Sequence, residues 1–195
     1  MKKMSVKGKA KGKVVWVSGP AVKSEGMAEA KMYETVEVGE SKMVGEIIRL
    51  TGDVAFIQVY ESTGGLRPGE PVYITGQPLS VTCGPGMMGK IYDGLQRPLE
   101  DIAKKTGPFI TKGASVTPIP FDKKWKFSPS VKKGDILESG SIIGTVQENP
   151  LVEHRIMVPP NHQGGTVVEV SSEGKYDLEH EIIEVKRNGV KSSLK

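Results

Sequence analysis

The sharpest chemical pattern in the chain is Gly84-Pro85-Gly86-Met87-Met88-Gly89-Lys90. Gly84, Gly89 and Lys90 stand at the spacing of a phosphate-binding loop, in which backbone amides wrap a phosphate and the lysine neutralises it. That chemistry needs two more things. A Ser or Thr must follow the lysine to ligate Mg²⁺, and the loop must run into a helix whose first N–H groups meet the anion. Here Ile91 follows Lys90, and Gly94 and Pro98 fall within the next two turns. The segment reads as a structural Gly-rich turn, with no cofactor-binding residue in it.

Metal and nucleophile chemistry find less support. His154, His162 and His180 are the histidines and Cys83 the one thiol, about seventy residues from the nearest of them. A zinc site draws four ligands, mostly in close pairs, so no metal site is expected. A Cys–His pair stays open, because such partners meet in space and not in sequence. The simpler reading of Cys83, between Thr82 and Gly84, is a small core residue. Among 23 acids, two suitable carboxylates are always to be had, so their presence is no sign of acid–base catalysis. Glu37, Glu40, Glu46, Glu61 and Glu70 flank turns or face outward on strands. No catalytic residue is assigned. Lys123-Lys124-Trp125-Lys126-Phe127 interleaves bases and aromatics as single-strand nucleic-acid binders do. A lone cluster in a chain with 6% aromatics reads instead as a Trp and a Phe pinning a loop to the core beneath solvated lysines.

Charge placement agrees. The 195 residues carry a formal +4, but residues 1–13 hold six lysines and no acid, and residues 186–195 hold Lys186, Arg187, Lys191 and Lys195, again with no acid. Residues 14–185 are left at −6. An acidic body is a poor partner for a polyanion, so no nucleic-acid partner is expected. No window approaches the ~18 apolar residues of a membrane span, and no apolar stretch backs the basic start as a secretory signal requires. A single cysteine suits a reducing compartment. The expected location is cytoplasmic, without direct membrane insertion.

The elements that position these residues are mostly strands. With 24 Gly and 13 Pro, a helical bundle is excluded. Residues 1–13 read as a basic, flexible arm. From Val14, short β-branched runs alternate with turns: Val14–Val17, Met32–Val38, Val44–Leu50, Val54–Tyr60 and Val72–Ile74. They predict a small closed β-barrel over 14–75. Residues 76–115 are a Gly/Pro-rich connector with one short helix, Arg97–Lys105, ended by Thr106-Gly107-Pro108. Over 116–190 strands return as a second β domain. The Asn188-Gly189 pair opens a hairpin whose second arm, in a truncated tail at 191–195, is barely long enough to pair. The fold class is mainly β.

Residues 131–170 resemble a barrel-sandwich hybrid, the fold of biotinyl and lipoyl carrier domains. The match rests on Lys133-Gly134-Asp135, on Gly140-Ser141-Ile142-Ile143-Gly144-Thr145-Val146, and on Ile156-Met157-Val158-Pro159-Pro160 with Gly164-Gly165-Thr166-Val167. The Met-Lys-Met or Asp-Lys-Ala triplet of a carrier does not occur. A stand-alone carrier or adaptor is the alternative reading.

A wider resemblance covers nearly the whole chain after the arm. Val44-Gly45-Glu46-Ile47-Ile48-Arg49-Leu50, Thr51-Gly52-Asp53, Gln58-Val59-Tyr60-Glu61 and Gly64-Gly65-Leu66-Arg67-Pro68-Gly69-Glu70-Pro71-Val72 resemble the N-terminal β-barrel of the rotary ATPases. Gly84–Gly89 with Ile91-Tyr92-Asp93-Gly94-Leu95-Gln96-Arg97-Pro98-Leu99 resembles the segment entering their nucleotide-binding domain. The insertion at 116–185 resembles the non-homologous bulge of the catalytic A subunit in archaeal A-type and vacuolar V-type ATPases. The resemblance implies a parent enzyme that makes or hydrolyses ATP, handling Mg-ATP and Mg-ADP at hexamer interfaces with B subunits. That chemistry is coupled to proton or sodium transport by a complex peripheral to the membrane. It implies no cofactor and no catalytic residue here, because the family's phosphate loop lies beyond residue 195. This N-terminal portion would supply hexamer-crown contacts, and peripheral-stalk contacts through the bulge.

Overall fold

The structure, a computed structural model, describes residues 11–194 and divides into two compact units. The first joins the chain up to Val81 with Asp101–Val116. Its six strands are β1 (Gly12–Ser18), β2 (Ala21–Glu25), β3 (Glu34–Val38), β4 (Met43–Thr51), β5 (Val54–Val59) and β6 (Pro71–Pro78). They close into a barrel in the order β1-β2-β5-β4-β3-β6, all antiparallel, with β6 returning to β1. Side chains alternate across a strand, so Glu34, Val36 and Val38 turn inward on β3 and Ala55, Ile57 and Val59 on β5. The runs in β1 and β4 do not alternate cleanly, and the reason is a bulge in each. The register slips between Val14 and Trp16 and between Ile47 and Arg49, which changes the phase of the inward residues. Val14, Val22, Val36, Ile47, Ile57 and Val72 fill the centre, each contributing about 1.5–3 kcal/mol by leaving water.

The strand texture predicts five of the six barrel strands. It misses β2, whose Ala-Val-Lys-Ser-Glu places just one fully buried apolar residue, Val22, beside a fully buried Ser24. Of the arm expected at 1–13, residues 1–10 lie outside the described residues. Lys11 donates its N–H to Val72 O at 3.0 Å, and Gly12 and Lys13 belong to β1.

The connector expected at 76–115 divides. Its start extends β6 to Pro78, Thr82–Glu100 belongs to the second unit, and Asp101–Val116 to the barrel unit. The helix, α1, spans Leu99–Thr106, starting later than expected. Arg97 N–H is taken by Asp93 Oδ1, and Pro98 bridges back to Tyr92. It ends at Gly107, whose φ of +80° brings its N–H to Ala103 O at 2.9 Å. Beyond it, residues 112 and 113 are strapped to the barrel. Glu61 accepts N–H groups from Val44 at 3.3 Å and Gly113 at 2.7 Å, and the Lys112 ammonium reaches Gly64 O.

The second unit contains β7 (Trp125–Pro129), β8 (Ile136–Leu137), β9 (Ile142–Asn149), β10 (Val152–Met157), β11 (Gly165–Val170), β12 (Gly174–Tyr176), β13 (Ile183–Arg187) and β14 (Val190–Leu194). They form two four-stranded sheets, β10-β9-β7-β12 and β14-β13-β11-β8. Phe127, Ile143, Val146, Val158, Val167 and Val185 anchor the core. Gly144 is glycine for packing: a Cβ there would sit 2.4 Å from the Phe127 ring. Two expectations change here. Trp125 and Phe127 lie on β7, not on a pinned loop, with Lys123 Nζ 3.9 Å from the Trp125 ring centroid. The tail expected at 191–195 is, over its described residues, the body of β14, paired with β13 from Arg187↔Val190 to Ile183↔Leu194. Positive φ at Asn188 (48°) and Gly189 (82°) makes the tight turn between them.

Candidate functional site

The Gly84–Lys90 loop does not lead into a helix. Met87–Lys90 is a turn closed by Lys90 N–H to Met87 O at 3.3 Å, with Gly89 at φ +82° in the position that demands glycine. Gly84 packs toward Ile119. The loop's amides nevertheless converge on an anion, and that anion is part of the chain. Glu148 Oε1, on β9, accepts the N–H of Gly86 at 2.7 Å and of Met88 at 2.9 Å. The Glu148 side chain is 4% exposed, and its Oε2 lies 3.8 Å from His154 Nδ1. Sequence reading misses Glu148, because nothing local in Gln147-Glu148-Asn149 signals a partner about sixty residues away.

A second carboxylate organises the turn that follows. Asp93 Oδ1 accepts N–H groups from Leu95 at 3.0 Å and Arg97 at 2.8 Å, and Oδ2 accepts Arg97 Nε at 2.6 Å. Burial acts to raise the Asp93 carboxyl, but the Arg97 N–H, its guanidinium and the Leu95 N–H outweigh it and hold it below its ordinary value. Gln96 pairs reciprocally with Thr82, its Oε1 accepting at 2.7 Å and its Nε2 donating at 2.6 Å.

Cys83, His154 and His180 line one cavity of about 200 Å³ together with Trp125 and Tyr176. Both histidines have other partners there. The His180 ring stacks on Tyr176 with centroids 4.3 Å apart and its Nε2 lies 3.2 Å from Ser171 Oγ, while His154 faces Glu148. Cys83 is exposed, not a core residue. His162 stands apart, with Nε2 2.9 Å from Ser192 Oγ and Nδ1 accepting Gly164 N–H. Among the described residues no three His, Cys, Asp or Glu side chains cluster as metal ligands. The acids read as turn-flanking or outward do more than expected. Glu70 accepts N–H groups from Arg67 at 2.8 Å and Glu40 at 3.0 Å. Glu46 accepts the Tyr60 hydroxyl at 2.7 Å, a bond that pushes the phenol up to about 12.

Residues 14–76 match the family model for the ATP synthase alpha/beta family, beta-barrel domain, and residues 116–195 match that for the ATPsynthase alpha/beta subunit barrel-sandwich domain. The chain belongs to the ATP synthase alpha/beta family. Within that family it is 56% identical over 179 residues to the A subunit of the A-type ATP synthase of Saccharolobus solfataricus, covering 91% of this chain and 30% of that protein. The protein of the same name from Saccharolobus islandicus is 53% identical over 185 residues, covering 94% and 31%. That from Pyrococcus abyssi is 55% identical over 177 residues, covering 91% and 17%. The chain thus spans a third or less of the length of these relatives and corresponds to the N-terminal region of the A-type ATP synthase A subunit. The mainly β architecture, a closed barrel followed by a barrel-sandwich domain, agrees with both family domains. The loop at Gly84–Lys90 lies between the two matched ranges, whereas Glu148 lies within the second. Among the described residues no helix is long and apolar enough to cross a membrane.

Proposed function

We propose that this chain is the assembly portion of the catalytic A subunit of an A-type ATP synthase, an enzyme coupling ATP synthesis or hydrolysis to proton or sodium transport. The identity of 56% across both β domains carries the reading. The barrel supplies contacts to neighbouring B subunits in a hexamer crown, and the barrel-sandwich domain supplies contacts to the peripheral stalk. Mg-ATP and Mg-ADP bind in the remainder of the parent protein, and the complex works from the cytoplasmic side of a membrane. A rigid closed barrel suits side-to-side assembly. Apolar side chains left in water in the stretch that links the two matched ranges, Val81 at 63%, Ile91 at 64% and Phe109 at 80% exposure, support packing of this stretch against the rest of the parent protein.

Two measurements test the reading. Native mass spectrometry of the 195-residue chain with a B subunit of an A-type ATP synthase gives mixed complexes; chains that stay separate at every ratio refute the crown role. Isothermal titration with Mg-ATP gives no affinity tighter than roughly millimolar, since the Mg²⁺-binding hydroxyl and the helix after the loop are missing. Micromolar binding refutes the assignment of catalysis to the remainder.

A further inference from the structure

Glu148 stands where the anion stands in a phosphate-binding loop. The amides of Gly86 and Met88, two residues apart, converge on one of its oxygens at 2.7 and 2.9 Å, the geometry by which backbone nests hold anions. The way Glu148 arrives is built into β9. Pairing with β10 passes from Asn149↔Val152 directly to Gln147↔Glu153, leaving Glu148 as the extra residue of a bulge. Bulges re-aim a side chain at the expense of local ladder bonds, and here the re-aimed side chain is a nearly fully buried carboxylate. A buried charge is costly unless hydrogen-bonded, and the part-buried Gly86 amide is costly unless something accepts from it. Each half of the pair satisfies the other.

We propose that Glu148 is the resident anion of the Gly84–Lys90 loop, an internal carboxylate that holds the phosphate's place, closes the loop to free phosphate and latches it to the end of β9. An acceptor fixed in the same fold meets the amides without the translational and rotational cost that a dissolved anion pays, so dissolved anions do not displace it. The inference rests on the loop and β9 alone and stands apart from the assembly role.

The test uses the ¹⁵N-labelled 195-residue chain. In the wild type, inorganic phosphate raised to tens of millimolar leaves the Gly86 and Met88 amide resonances in place. In E148A both amides exchange with solvent about tenfold faster, the effect of losing one charge-assisted acceptor, while Ile57 and Val59 do not change. Formate then draws both resonances back toward their wild-type positions in a saturable titration. If E148A does not fold, E148Q carries the test: it keeps the acceptor but removes the charge, and both amides exchange measurably faster. A wild-type loop that titrates with phosphate overturns the proposal. So does an E148A loop whose amides neither speed up nor answer to formate, or an E148Q loop with wild-type exchange.

Discussion

In the barrel, β6 pairs back onto β1 and every strand has a neighbour on both sides; in the sandwich, β10, β12, β14 and β8 each leave one side unpaired among the described residues. An unpaired side is a template for foreign strands, and the sandwich limits each one differently. β8 and β12 are two and three residues long. β10 carries Glu153, His154 and Arg155 in sequence, and β14 carries Lys191. Closure frees the barrel from such measures, so its outer face can be given over to contacts. Both regions share one device: carboxylates that accept loop N–H groups. Glu34, Glu61 and Glu70 do this in the barrel unit, Asp93 and Glu148 in the other. Edges are handled by closure in the barrel and by short length or charge in the sandwich, loops by point acceptors in both.

The largest test of the division is core truncation. Phe127→Ala costs the sandwich about 3–5 kcal/mol and Ile57→Ala costs the barrel about 2–5 kcal/mol. The chain's two tryptophans follow the two units separately in urea, since Trp16 lies on β1 and Trp125 on β7. A Phe127→Ala variant that shifts the Trp16 transition and spares that of Trp125 contradicts two separate cores. Next comes the strap. Glu61→Ala leaves the Gly113 N–H without its acceptor and costs about 1–3 kcal/mol; unchanged hydrogen exchange at Gly113 shows the strap is held elsewhere.

Asp93→Asn removes the ion pair with Arg97 and costs about 1–2 kcal/mol near neutral pH. The folded Asp93 carboxyl lies below its unfolded value, so its contribution is present above about pH 4 and disappears as pH falls through the lower, folded value. Melting temperatures of the wild type and Asp93→Asn therefore converge in acid. A gap that stays constant to low pH removes charge from the explanation. The smallest effect belongs to Glu173→Gln. Its partner Lys126 is held above its ordinary value by the Glu173 hydrogen bond, but the pair is solvated, and no shift in the urea midpoint is expected.

Strands with several buried β-branched residues are legible in the sequence, as are the Asn188-Gly189 hairpin and the end of α1 at Gly107. β2 and β12 are not. One has a single fully buried apolar residue and the other is three residues long, so neither has a period to detect. β7 escapes because Trp125 and Phe127, two residues apart and separated by a lysine, fit a strand face and a pinned loop equally well. The glutamates escape for a different reason. Glu34 and Gly76, Glu61 and Gly113, and Glu148 and Gly86 are 42, 52 and 62 residues apart. A side chain gripping a distant backbone amide leaves no residue-type signal at the amide, since any residue except proline supplies one. Gly94 and Pro98 signal that the Gly-rich loop does not run directly into a helix, yet no residue marks the carboxylate bound in it.

The seam between β1 and β6 also separates chain connectivity from architecture. Gly12 pairs with Val72 and Lys13 with Pro71, flanked by Val14 N–H to Glu70 O at 2.9 Å. The start of β1 therefore lies beside the start of β6, which runs on from Val72 to Pro78 past Gly12. A linker of roughly six or more residues, long enough to run back the ~20 Å by which β6 overshoots Gly12, with new termini opened in the exposed Thr51-Gly52-Asp53 turn, yields a circular permutant with the same closed ring of hydrogen bonds.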